Sequence, residues 1–116
     1  MRCWLCDKKI EGEPVVHREI VTNGRDEEEW VFNLCSRECD LVFTVLFHLV
    51  VMGDEDEVIM HLEDEHGLEW ELVEEALKKF DEKEGQKILK KKIKKLEKKM
   101  EKFALRGDGI FSAQHG

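Results

Sequence analysis

Alternation is the first regular signal along the chain. Val15 to Val21 is a β-branched run, and Trp30, Phe32 and Leu34 alternate with Val31 and Asn33. A period of two predicts strands with one buried face. Between the runs stands Thr22-Asn23-Gly24-Arg25, whose Asn-Gly pair predicts a tight hairpin turn. The acidic stretch 26–29 is placed at the hairpin's solvent end. The period then changes. Leu41, Val42, Val45, Leu46, Leu49 and Val50 cover most of a helix's circumference, and Asp40, Thr44 and His48 form one polar stripe at i, i+4, i+8. Ser36 stands at the N-cap position and Gly53 at the stop, so the helix runs to about Met52. A helix this apolar is buried on several sides, against the hairpin and a later helix or in an oligomer interface.

The second half is helical. Asp54 can cap a helix carrying Val58, Ile59 and Leu62, with Gly67 as its end. Trp70, Val73, Leu77 and Phe80 repeat at 3,4,3 spacing and predict a second amphipathic helix. Asp81 to Gly85 interrupts the pattern, since glycine costs a helix interior about 1 kcal/mol relative to alanine. From Gln86, Leu89, Ile93, Leu96, Met100 and Phe103 form a seam just over two heptads long. So short a seam fits a coiled coil and packing onto the preceding helix equally well. The chain therefore reads as α+β in three parts. Residues 1–53 form one unit, 54–107 a helical segment of two acidic helices and a basic one, and 108–116 a flexible tail.

Charge changes the picture. The 116 residues are 40% charged and 41% hydrophobic, with a net charge of −8. From Asp54 to Glu84 there are fourteen acids against three lysines; from Gln86 to Arg106 there are ten basic residues against two acids. The overall charge argues against nucleic acid, but this segregation reopens the question. The longest apolar run, 41–52, falls short of the roughly 20 residues a membrane span needs. The N-terminus carries no apolar signal run, so a reducing cytoplasmic setting is expected.

Four cysteines carry the chemistry. Cys3 and Cys6 are spaced C-x2-C, Cys35 and Cys39 C-x3-C, and 28 residues separate the pairs. Two close pairs can each wrap one side of a tetrahedral zinc ion. A reducing compartment favours metal over disulfides, and no strand–CxxC–helix context supports a redox role. A knuckle, a hairpin, and a helix whose first turn supplies the second pair follow the logic of a treble-clef zinc finger. Backbone N–H groups at that helix start would favour the thiolates.

Leu34-Cys35-Ser36-Arg37-Glu38-Cys39 with Val42-Phe43 resembles the F-C-S-x-x-C-x-x-x-F signature of TRASH, MYM-type and related FCS zinc fingers. Cys3-x-x-Cys6 matches their first pair. The resemblance covers residues 1 to about 50. Leu34 replaces the usual phenylalanine, and the apolar helix is longer than a bare finger needs. The resemblance implies a zinc-bound treble clef, and an association with heavy-metal sensing and trafficking or with protein and nucleic-acid contacts.

Two further features stay open. His61 and His66 have the H-x4-H spacing of two-Cys, two-His fingers. They could complete a rival set with Cys3 and Cys6, or form a separate site with Glu63 or Glu65. The simpler expectation is a pair of exposed or capping residues near a helix end, with His48 on a polar stripe and His17 on a strand surface. Eight lysines from Lys90 to Lys102 surround the basic helix's seam. They either form a solvated face paired with the acidic helices or contact phosphates, with Lys91, Lys94, Lys95 and Lys98 as the contact set. Little base-reading chemistry accompanies them, so any such binding would ignore sequence.

The expectation is a non-enzymatic module holding one structural Zn²⁺ at Cys3, Cys6, Cys35 and Cys39. Four thiolates leave no coordination position for a reacting water, and no nucleophile–base set or phosphate loop is visible. Its helical half would dock a protein, a ribonucleoprotein or a nucleic-acid backbone. No membrane is involved, and a homodimer stays open. The alternative is a TRASH-like heavy-metal sensing or trafficking protein.

Overall fold

The computed structural model describes residues 1–81 and 85–114. Among them the chain is α+β, with a three-stranded antiparallel sheet and four helices. Strand β1 is Val15–Thr22 and β2 is Glu27–Leu34, paired from Val15↔Leu34 to Thr22↔Glu27. The hairpin forms where Asn-Gly predicts it, but its connection is four residues rather than a tight pair. The Asn23 side-chain oxygen accepts from the N–H groups of Arg25 (2.9 Å) and Asp26 (2.7 Å), and closes an Asx turn. Trp30, Phe32 and Leu34 are buried, as the alternation requires, while Val31 is exposed.

Helix α1, Arg37–Met52, keeps both predicted ends. The Ser36 hydroxyl accepts from the Cys39 N–H, and Gly53, in the left-handed region at φ 75°, returns its N–H to the Leu49 carbonyl. Helix α2 is Glu55–Asp64, capped by Asp54. Helix α3 is Trp70–Asp81 and α4 is Gly85–Leu105. The interruption expected over 81–85 falls largely on residues 82–84, outside the described residues. A Cβ at Gly85 would collide with the Phe80 carbonyl, so only glycine lets α4 begin this close to the end of α3.

Residues 112–114, part of the segment expected to be a loose tail, instead form strand β3 (Ser112–Gln114) antiparallel to β1, with sheet order β2-β1-β3. Phe111 anchors this return, with its ring 5.5 Å from that of Trp30 and 6.3 Å from that of Phe103.

One core joins the two halves. Leu5, Phe32, Leu34, Phe43 and Phe47 pack in the same cluster as Ala76, Leu96, Met100 and Phe103. The α4 seam is used at Leu96, Met100 and Phe103, which pack toward the sheet and α1 as well as α3. No helix among the described residues is long and apolar enough to cross a membrane.

Candidate metal centre

The first cysteine pair sits on a knuckle held by its own backbone. The Asp7 N–H donates to the Cys3 carbonyl (3.0 Å), and the Cys3 N–H donates to the Lys8 carbonyl (2.8 Å). Asp7 takes a left-handed φ of 64° to close the turn. Beside the knuckle the Trp4 N–H donates to the Asn33 carbonyl at 2.8 Å and ties it to β2. The second pair straddles the start of α1, with Cys35 just before the cap and Cys39 in the first turn.

These elements bring all four sulfurs within 4.8 Å of one another. The Cys6–Cys35 and Cys35–Cys39 sulfurs are 3.5 and 3.6 Å apart. A disulfide needs about 2.05 Å. A tetrahedron with Zn–S bonds of about 2.3 Å puts its sulfurs about 3.8 Å apart. The four cysteines are free thiols, with Cys3 and Cys39 buried and Cys6 and Cys35 partly exposed. The group can hold a metal ion.

The thiols' electrostatics argue the same way. Hydrogen bonding from Cys39 outweighs burial and takes the Cys3 thiol down to about 4. Burial pushes Cys6 up to about 11, with neighbouring Cys35 and Cys3 adding to it. Cys39 is pushed far up, first by its hydrogen bond to Cys3 and then by burial. The Cys3 thiolate therefore disfavours ionisation of Cys6 and Cys39. A cation at the centre is what would let four thiolates coexist. A cleft of about 320 Å³ lies over Cys6, Cys35 and Cys39, walled by Lys79, Phe80 and Val42.

The histidines fall elsewhere. His61 and His66 are not near the thiols; they gather with His48 as a separate group whose nitrogens lie within 4.8 Å of one another. His48 is 3% exposed. The polar stripe of α1 is thus buried at His48 and partly exposed at Asp40 and Thr44. His17 is also no surface residue. Its Nδ1 donates to Asp40 at 2.9 Å and its Nε2 to Glu19 at 2.6 Å. Burial alone would lower the imidazole's pKa, but the hydrogen bonds and charges of Asp40 and Glu19 override it and raise it to about 9. His17 and Glu19 share the inward β1 face with Val15 and Val21, but the opposite face carries Val16 and Ile20, so the sequence did not mark which face turns inward.

The lysines of α4 divide by face. Lys92 is 4% exposed, donates to Asp7 at 2.9 Å and lies over the Trp4 ring at 5.2 Å. Lys95 also lies over Trp4, at 5.8 Å, and Lys99 over Trp30 at 4.7 Å. Lys95 and Lys99 are nonetheless exposed, as are Lys91, Lys94 and Lys98, which lie over no ring of the described residues. Among the described residues, α4 pairs through Lys92 with Asp7, Arg106 just after the helix pairs with Glu28, and no ion pair of α4 runs to α2 or α3. The charge segregation along the sequence is thus not cancelled by pairing within the described fold. Comparison with the models of known protein families, with curated proteins and with solved structures gives no match for this chain.

Proposed function

We propose that this protein is a non-enzymatic zinc-binding interaction module. In this reading residues 1–53 form a treble-clef finger whose Cys3, Cys6, Cys35 and Cys39 hold one structural Zn²⁺. Cys3 and Cys39 belong to the hydrophobic core, which suits an ion that holds elements together. When bound, the ion would neutralise the thiolates and fix the knuckle against the start of α1.

The docking surface is the outward face of α4. The observation that carries this is the division of its lysines. Lys92, Lys95 and Lys99 are engaged with Trp4 and Trp30, whereas Lys91, Lys94 and Lys98 point to solvent without an ion partner among the described residues. A row of such lysines suits a nucleic-acid or ribonucleoprotein backbone, read as charge and not as sequence. The test is a salt titration of binding to several unrelated RNAs. The triple reversal Lys91→Glu, Lys94→Glu and Lys98→Glu should weaken all of them alike, and each lost phosphate contact should flatten the salt slope by about 0.7 on a single strand. Lys95 is left intact because its reversal would also disturb Trp4. Absence of binding at low salt, or binding that survives the reversal, turns the reading toward a protein partner.

A second reading rests on the cleft over Cys6, Cys35 and Cys39. A metal reachable from solvent suits a TRASH-like heavy-metal sensor or carrier. Rapid exchange of bound Zn²⁺ for a softer ion would favour it over a purely structural site.

A further inference from the structure

We propose that His48, His61 and His66 form a second metal site, separate from the four cysteines, that takes a borderline first-row divalent cation such as Zn²⁺. The three rings come from α1, from α2 and from the turn just after it. Their centroids form a near-equilateral triangle, with sides of 5.2, 5.5 and 4.9 Å. One nitrogen of each lies within 4.8 Å of the others. The Nε2 atoms of His61 and His66 are 3.1 Å apart. Two imidazoles on a tetrahedral ion at about 2.0 Å place their nitrogens about 3.3 Å apart.

The outer partners orient the rings for this. The Nδ1 of His48 is 2.7 Å from the Thr44 carbonyl, and a carbonyl only accepts, so Nδ1 carries the proton and Nε2 the lone pair. His61 Nδ1 lies 3.2 Å from the Glu65 carboxylate, which selects the same tautomer. Metal-bound histidines show this arrangement, with the ligating nitrogen opposite an N–H held by a carbonyl or a carboxylate. Three neutral imidazoles suit zinc, copper or nickel better than calcium or magnesium. Among the described residues they fill three positions of a tetrahedral ion. His48 and His66 border a cleft of about 300 Å³ that His17, Arg18, Glu19, Asp40 and Thr44 also line, so the site can be reached from solvent.

His66 is exposed, so His66→Ala tests the site without disturbing the core. Wild-type protein titrated with Zn²⁺ should bind one equivalent more than His66→Ala, both with the four cysteines intact. Glu65→Gln, which touches only the outer partner of His61, should weaken that equivalent by about tenfold. In the metal titration the ring resonances of His48, His61 and His66 should move together while those of His17 stay. Equal stoichiometry and affinity in wild type and His66→Ala overturns the proposal, as do ring resonances of the trio that do not respond to Zn²⁺. His48→Ala is the weaker test, because emptying a buried position can unfold the chain.

Discussion

Asn23 is fully buried at the tip of the hairpin. Besides the two N–H groups its oxygen accepts, its amide donates to the Phe103 carbonyl at 2.8 Å, near the end of α4. Gly107 packs so closely on this amide that a Cβ there would lie inside van der Waals contact. The sequence revealed the turn at Asn-Gly, because turn chemistry is local. It did not reveal the tie to a residue eighty positions away, which depends on where α4 ends in space. His17 teaches the same at higher stakes. It looks like a strand-surface residue until Asp40 arrives from α1. A folded-state pKa raised from 6.5 to about 9 means its contribution is complete below pH 6.5 and is lost as pH rises toward 9. The groups facing it are Glu19 on its own strand and Asp40 on α1, with His48 and His66 along the same cleft. Stability measured by urea unfolding should fall by on the order of 3 kcal/mol between pH 6 and pH 9.5. His17→Gln should remove most of that slope. A slope that persists unchanged in His17→Gln would assign the dependence to other groups.

Elements were more legible than contacts. The ends of α1 follow from Ser36 and Gly53, and the α4 seam from the spacing of its apolar residues. Legibility fails inside the lysine run, where eight similar side chains give no hint of which one turns inward. Lys92 does, with its stem buried and its ammonium between Asp7 and Trp4. The Asp7 carboxylate is itself 59% exposed, so water can replace its partner. Its pKa is lowered chiefly by the hydrogen bond from Lys92. Packing of the stem should therefore outweigh the ion pair. Lys92→Ala should cost about 2–3 kcal/mol by loss of buried methylenes and the cation–π contact, and Lys92→Met less than half as much. Chemical denaturation of the two variants decides it. Equal losses would mean that the charge, not the stem, holds the knuckle to α4.

At the scale of the whole molecule, the cysteine group was readable because its spacing is written locally in each pair, and two pairs without a leftover point to one cluster. Of the histidine group, spacing marked only His61 and His66, since His48 lies on an apolar helix and meets them only after α2 folds back. Nor was the boundary near residue 53 a division of the packing. The core that holds Cys3 and Cys39 also holds Leu96, Met100 and Phe103, so the cysteine centre and α4 share neighbours. A structural zinc supplies on the order of 10 kcal/mol of apparent binding free energy. A domain this size has about 5–15 kcal/mol in total. Stripping metal from the four cysteines, by chelation or by Cys39→Ser, should therefore unfold the molecule as one unit. Helical circular dichroism and the fluorescence of Trp4 and Trp30 should decay together. The contrary result is specific: α3 and α4 stay helical and melt at the native temperature while only the tryptophan signal is lost. That would make the helical half an independent domain, and the shared core would then be a docking contact between two units rather than the source of their stability.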